Sequence, residues 1–429
     1  MPVMSLSVVS LSFLLLFLGI PIGVSLGFSS LIVLAVFHPV PLAVVPQMLW
    51  GGTETFILIA VPFFVLTGII MELGGVSDKL INFTNSLFGW MKGGLGAVNI
   101  VSSFIFGGIS GSSLADTVAI GSIMIPKMIE NDYGKEYSAA ITAVSSTLSV
   151  IVPPSILMVV LGVVAGQSVG RLLVGGIVPG ALLTFIMLIQ NYFISKKRDY
   201  GQHIDFSLKN IWTQTKKGIF PLGTPFIILG GIMTGLITPT EASGVAVLYT
   251  LFIIKYILVK KDFYNIFVRA SIRAADITSS IIFIVVASKI FTFIITFERL
   301  PWLVSSAILQ ITTNPLGVLL VVSVFLLIVG MFIDSIVTII ICAPILFPVA
   351  IKVGIDPIHF GVFFVFCLAI GLVTPPFGVC LFSVCNIAKM KMESLTKAVF
   401  PLYFSLLLTL LFVILFPQIV LLLPNAFLK

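Results

Sequence analysis

The sequence predicts an all-α polytopic membrane protein, and three observations predict it. Hydrophobic residues fill 59% of the 429 positions and charged residues 9%. The apolar excess runs along the whole length. It comes in long runs, not in the alternating ten-residue segments of an outer-membrane barrel, and a backbone in lipid must satisfy its hydrogen bonds within the segment, so these runs are helices.

The first run has no Lys or Arg before it and is expected to stay as a span, not to be cleaved as a leader. Plain spans are expected near 4–20, 22–37, 54–75, 138–168 and 172–194, then 218–237, 240–259, 275–297, 357–388 and 398–423. Two stretches, 97–128 and 316–350, are too interrupted for plain spans and read as helical hairpins. Between the halves lies the longest polar stretch, 195–218, expected to be a partly amphipathic cytoplasmic connector.

Charge sets the expected orientation. With the N-terminus outside and each hairpin entering and leaving on one side, 18 of the 23 Lys and Arg residues, including Lys260 and Lys261, fall on the cytoplasmic side. Both termini are then periplasmic. The same rule accounts for the net charge of +7 without nucleic acid as a partner. The four cysteines lack metal-ligand spacing and read as buried filler. His38, His203 and His359 are scattered, "GISGS" departs from the nucleophile-elbow pattern at its last position, and no phosphate-loop signature occurs. An enzyme is therefore not expected.

The halves share a period. Asp116 precedes Pro126 by ten residues and Asp334 precedes Pro344 by ten, with an offset of 218 between the pairs. Pro21 and Pro239, and Ser25 and Ser243, share that offset, and the pairs Pro153–Pro154 and Pro375–Pro376 lie 222 apart. The first half starts outside and the second inside, so two inverted-topology repeats are expected, an architecture of alternating-access transporters.

Each half then carries two helix breaks at membrane depth: a hairpin tip and a Pro-Pro interruption. Such backbone is tolerated only where it lines protein or a cavity. At "STLSVIVPPS" and "GLVTPPFG" the prolines free carbonyls in the preceding turn. Carbonyls and hydroxyls with few charges suit a hard monovalent cation, and half-helix N-termini suit an anionic substrate. Gly107, Gly108 and Gly111 are expected to form the first tip's tight turn. Ser113 is expected to cap the second half-helix with Asp116 at its third position, giving Asp116 a structural role. Met331 stands where a serine would cap the second tip, so Asp334 reads as the functional carboxylate. Thr238, Pro239 and Glu241 spell a capping box.

The strings "FGGISGSSLADTVAIGSIMIPKM", "VSSTLSVIVPPSI", "GIVPG", "ITPTEASGVAVLY", "GMFIDSIVTIIICAPILFPV" and "GLVTPPFGVCLF" together resemble the large membrane subunit of TRAP (tripartite ATP-independent periplasmic) transporters, over essentially the whole chain. The resemblance implies a sodium-driven importer of an organic acid, such as a C4-dicarboxylate or sialic acid, in the bacterial inner membrane. It implies sodium as coupling ion with no other cofactor, a four-span small subunit supplied as a separate chain, a periplasmic binding protein that delivers the carboxylate, and an elevator mechanism. Carried onto this sequence, sodium would use Ser110, Ser113, Ser149, Pro153, Gly330, Asp334, Gly371 and Thr374. Substrate would use Ser112, Ser113, Ser155, Asp334 and Gly378. The scaffold would comprise 1–91, 171–311 and 391–429, and the transport domain 92–170 and 312–390. The arms "DFYNIFVRASIRAAD" and "PWLVSSAILQIT" would lie at the bilayer interface. The competing reading is a stand-alone ion-coupled anion symporter or antiporter of related fold.

Overall fold

The computed structural model describes residues 3–41, 43–53, 56–200, 207–258 and 262–428. His203, Lys260, Lys261, Lys429 and the centre of the 195–218 connector lie outside the described residues. The first half runs α1 (Val3–Phe17), α2 (Ile22–Phe37), α3 (Val44–Thr53), α4 (Ala60–Leu73) and α5 (Val76–Phe88). It continues with α6 (Gly94–Ser110), α7 (Ser113–Glu130), α8 (Lys135–Ser145), α9 (Leu148–Ile151), α10 (Ile156–Ala165), α11 (Val169–Gly175) and α12 (Ile177–Arg198). The second half runs α13 (Leu208–Met233), α14 (Pro239–Ile253), α15 (Phe263–Phe297), α16 (Leu300–Ile311), α17 (Pro315–Phe332) and α18 (Ser335–Lys352). It ends with α19 (Pro357–Gly371), α20 (Val379–Ala388), α21 (Met392–Val399), α22 (Tyr403–Leu415) and α23 (Gln418–Phe427).

Among the described residues six helices are long and apolar enough to cross a membrane, and two helix pairs bent by 73° and 43° raise this to eight. The bend of 73° separates α4 from α5, and that of 43° is the first Pro-Pro break. The chain is therefore an all-α polytopic membrane protein. The polar residues expected in the connector instead form the exposed first turns of α13. "DFYNIFVRASIRAAD" likewise is no separate arm: it winds directly into the 35-residue α15, because nothing between Phe263 and Phe297 breaks the helix. "PWLVSSAILQIT" does form its own helix, α16.

Local chemistry sets the helix starts. Thr238 caps α14 and accepts from the Glu241 amide at 3.3 Å, while Glu241 Oε2 accepts from the Thr238 amide at 2.7 Å, the reciprocal capping box. Asn314 and Asp356 cap α17 and α19, each followed by proline at the first helical position.

Two packed groups of helices surround the breaks, joined by contacts of α4 and α5 with α6 and of α15 and α16 with α18. In the frame, α4 packs on α14 and α15, and α15 on α2 and α3. Arg273 pairs with Glu72 at 3.2 Å across α15 and α4. In the body, the hairpins α6–α7 and α17–α18 pack with the broken helices α8–α10 and α19–α20. Here α11 and α12 pack on α6, α9 and α19, and α22 on α12, α17 and α19. Small residues bring them in: a side chain at Gly176 would strike the Ile151 carbonyl, and one at Gly180 would meet Val152 at 2.5 Å.

The hairpins enter from opposite ends. Gln190 in the second half of α12 donates to the Pro401 carbonyl beside the start of α22, and His359 at the start of α19 donates to the Val413 carbonyl near the end of α22. The base of the first hairpin lies at the former end, where Lys92 pairs with Asp199 just past α12. The second hairpin lies base-first at the end marked by His359, the inverted arrangement.

The register of the repeat differs from the expected one. From hairpin to break the offset is 222, not 218: α7 starts at 113 and α18 at 335, α8 at 135 and α19 at 357, and the paired prolines within α7 and α18 are Pro126 and Pro348. The counterpart of Asp334 is thus Ser112, and that of Asp116 is Thr338. A second proline, Pro344, one turn before Pro348, makes the shorter offset look equally good in the sequence.

Candidate functional site

The first tip is a two-residue turn. Gly111 closes α6 with φ of 64°, and Ser112, extended, starts α7. Only Gly111 serves the turn; Gly107 and Gly108, expected there, are helical. Their lack of a side chain lets α6 press on its neighbours: a Cβ at Gly107 would lie 2.7 Å from Ser149 Cα of the broken helix, and one at Gly108 3.2 Å from Pro225 of α13. The Ile156 amide donates to the Gly111 carbonyl at 3.3 Å, stitching tip to break.

The cap at this tip is Ser112, not Ser113: Ser112 Oγ accepts from the Ala115 amide at 3.4 Å. Ser113 is then the first helical residue, and Asp116 falls at the fourth position, past the reach of a cap. Asp116 is fully buried. The hydroxyls of Ser103 and Ser149 face it. Even so, neither carboxylate oxygen makes a hydrogen bond, nor do the buried hydroxyls of Ser113 and Ser149. Deeper in the body the polar side chains are paired: Asn99 donates to Thr142 Oγ1 at 2.5 Å and accepts from Ser145 at 3.3 Å.

At the first break, Val152–Ser155 is non-helical and the Pro153–Pro154 peptide is cis. Ser155 caps α10, accepting from the Met158 amide at 3.3 Å, and donates to the Val150 carbonyl at 2.6 Å. Its hydroxyl is committed to mending the break.

The second tip is built otherwise. Ile333 is extended, and Asp334 itself caps α18, Oδ1 accepting from the Ile336 amide at 2.9 Å. The carboxylate read as lacking a structural reason therefore has one, while Asp116 has none. Asp334 is exposed in the wall of the tip, where Asp116 is sealed. Beyond the tip, a Cβ on Gly371 would lie 2.7 Å from the Gly330 carbonyl oxygen, so α17 and α19 touch backbone to backbone. The Pro375–Pro376 peptide is cis and Gly378 has φ of 44°. Thr374 Oγ1 donates to the Ile370 carbonyl at 2.6 Å. Tyr403 from α22 donates to the Val373 carbonyl at 2.7 Å, a partner the sequence reading did not supply.

The four breaks converge. A cavity of about 210 Å³ is lined by Gly111, Ser112 and Ser113 of the first tip and Asp334 and Ser335 of the second. Val150, Ile156, Leu372 and Val379 from the two breaks complete the body side, and Ile277 and Ile281 of α15 form the frame wall. A second cavity of about 120 Å³ joins Gly330 and Asp334 to Gly371 and Gly378. Neither cavity contains Lys or Arg among its lining residues. A larger groove, about 970 Å³, lies between α4 and α15, but it is wide open and touches no helix break. Of the expected residues, Ser112, Ser113, Gly330, Asp334, Gly371 and Gly378 line these cavities; Ser149 and Asp116 sit behind the first tip; Ser110, Pro153 and Ser155 are buried beside it. Thr238 and Glu241 line neither cavity. Ile277, Ile281 and Tyr403 were missed, being apolar or aromatic residues on helices with no local break. Asn99 and Ser103 were missed too, although with Gly107 they follow a spacing of four along α6 that is readable in the sequence.

Residues 9–419 match the family described as the DctM component of the tripartite ATP-independent periplasmic transporter. The chain belongs to that family. It is 38% identical to the sialic acid TRAP transporter large permease protein SiaM of Vibrio cholerae, over 96% of this chain and 97% of that one. It is 36% identical to the C4-dicarboxylate TRAP transporter large permease protein DctM of the same species, over 90% of each. The YdaH transporter of Alcanivorax borkumensis shares its fold, with a TM-score of 0.60 over 87% of both chains at 12% identity. This TRAP large permease is thus a transport protein, not an enzyme, and one component of a three-part system.

Proposed function

We propose that this permease imports a small organic acid, a C4-dicarboxylate, sialic acid or related carboxylate, coupled to an inward sodium gradient across the bacterial inner membrane. A periplasmic binding protein delivers the substrate and a small four-span subunit flanks the frame. The observation that carries the reading is the cavity between the tips. It presents half-helix N-termini to an anion, yet sets the Asp334 carboxylate in its wall and the Asp116 carboxylate behind it, with no basic residue in the lining. An anionic substrate beside two carboxylates is repelled unless cations enter with it, because charges in such a site are weakly screened. The donors fit a hard monovalent ion: two carboxylate oxygens and the Ser113 and Ser149 hydroxyls are buried and unpaired on the first side. On the second side are Asp334 and the carbonyls around Gly330 and Gly371.

Sodium orders both tips and cancels charge, after which the N-termini of α7 and α18 accept the substrate carboxylate. The moving body comprises the hairpins, the broken helices and, by packing, α11, α12, α22 and α23. It slides against α15, whose Ile277 and Ile281 cover the cavity. The termini of the chain face the periplasm, as the Lys and Arg distribution favours.

The test is uptake into proteoliposomes holding this chain, a small subunit and a loaded binding protein. Accumulation is expected only under an inward sodium gradient. Equal uptake without sodium overturns the coupling, and equal uptake without any binding protein supports the stand-alone symporter instead.

A further inference from the structure

We infer that the end of α12 carries a binding site for an anionic phospholipid headgroup of the phosphatidylglycerol type. A cavity of about 340 Å³ opens there between α12, α8 and the segment joining α21 to α22, lined by Tyr137, Ile194, Lys197, Arg198 and Pro401 among others. It lies away from the helix breaks and shares no residue with the transport cavities.

Lys196, Lys197 and Arg198 all occupy the last turn of α12. Basic residues there complement the helix dipole, which explains their sign. It does not explain how they are held. The Arg198 guanidinium lies 5.9 Å from the centroid of the Tyr137 ring, and its Nη1 donates to the Tyr200 hydroxyl at 3.4 Å. Tyr200 is fixed in turn, 5.0 Å from the Tyr133 ring and 5.4 Å from that of Tyr137. Tyr137 is buried and donates to Asn191 Oδ1 at 2.7 Å. Aromatic rings thus aim the arginine without an ion-pair partner among the described residues. Among the described residues neither Lys197 nor Arg198 forms an ion pair, and the adjacent carboxylate, Asp199, pairs with Lys92.

What flanks the cavity selects a lipid over a free anion. Phe193 lies one turn below Lys197 on α12 and is 63% exposed; Phe404 lies one turn below Pro401 on α22 and is 61% exposed. Exposed phenylalanine rings beside a basic helix end face acyl chains at the headgroup boundary. A basic end above an apolar flank matches an amphiphile, with its phosphate on Lys197 and Arg198 and its chains along Phe193 and Phe404.

Native mass spectrometry of the purified full chain in detergent, titrated with phosphatidylglycerol or phosphatidylcholine of the same acyl composition, tests the site. Phosphatidylglycerol should bind more tightly, and the double variant Lys197→Gln/Arg198→Gln should weaken it about thirtyfold, about fivefold for each basic residue. Lys196→Gln, in the same turn but outside the cavity lining, should change binding less than about twofold, and Arg198→Lys should retain most of it. Millimolar inorganic phosphate should not displace the lipid. Equal binding of the two lipids, equal loss in Lys196→Gln and the double variant, retention by the double variant, or displacement by phosphate would each overturn the proposal. The substituted residues are exposed, and a matching melting temperature shows that the variants remain folded.

Discussion

The two hairpin tips come from one repeated plan yet place their carboxylates a helical turn apart. At the second tip Asp334 is the cap itself, hydrogen-bonded to an amide and open to the cavity. At the first the cap is Ser112, and Asp116 lies four residues on, sealed and unpaired. The difference separates two tasks that a carboxylate at a tip would otherwise combine. Asp334 holds a helix end and faces what enters the cavity, whereas Asp116 contributes nothing to capping and remains a buried charge that only a cation or proton can relieve.

The largest effects are expected where the two tips agree, in the backbone contacts of each with its break. Gly107→Ala places a methyl 2.7 Å from Ser149 Cα, and Gly371→Ala places one 2.7 Å from the Gly330 carbonyl. Neither obstacle is a flexible side-chain end, so the tips must shift, and a displacement near 1 Å costs about 100-fold in rate. Initial uptake rates in proteoliposomes check this; normal rates in either variant would show that this contact is dispensable.

The next effect separates the aspartates. Asp116→Asn keeps the volume and removes the unpaired charge, so without coupling ions the variant should be more stable than wild type by about 1 kcal/mol or more, yet fail to transport. Asp334→Asn keeps a capping side chain and should leave stability unchanged while weakening sodium dependence. Asp334→Ala loses the cap as well, a further cost of about 1 kcal/mol. Thermal unfolding in sodium-free buffer, paired with uptake, distinguishes the three. Identical behaviour of Asp116→Asn and Asp334→Asn would erase the proposed difference.

Much of this was legible in the sequence. Apolar runs, Pro-Pro pairs and the hairpin interruptions predict the helices and their order, because each feature acts on the backbone within one turn. The capping box at Thr238 and Glu241 was equally readable, being contained in four residues. The register at the tips was not. Pro344 and Pro348 offer two alignments with Pro126, and only the helix starts decide between them. The role of Ser155 was hidden for a related reason: its hydroxyl repairs a carbonyl that the adjacent prolines release, a partner visible only in three dimensions. The attachment of α11 and α12 to the body depends on Gly176 and Gly180 meeting another helix, which spacing along one chain does not reveal.

The smallest effects belong to caps away from the cavity. Ser112→Ala removes a cap worth about 1 kcal/mol and a polar cavity group, whereas Thr238→Ala removes a cap alone. Both should lower stability similarly, but only Ser112→Ala should raise the substrate concentration needed for half-maximal uptake. Equal transport by the two would place the substrate away from the first tip.

The most direct measurement is the sodium dependence of uptake rate in wild type, Asp116→Asn and Asp334→Asn reconstituted side by side. If each tip with its break contributes a coupling-ion site, the wild-type curve is sigmoidal with a Hill coefficient above one. Asp334→Asn then shifts to higher sodium with a reduced coefficient, and Asp116→Asn shows no sodium-driven uptake. Wild-type curves in both variants would contradict the assignment of the coupling ions to these carboxylates.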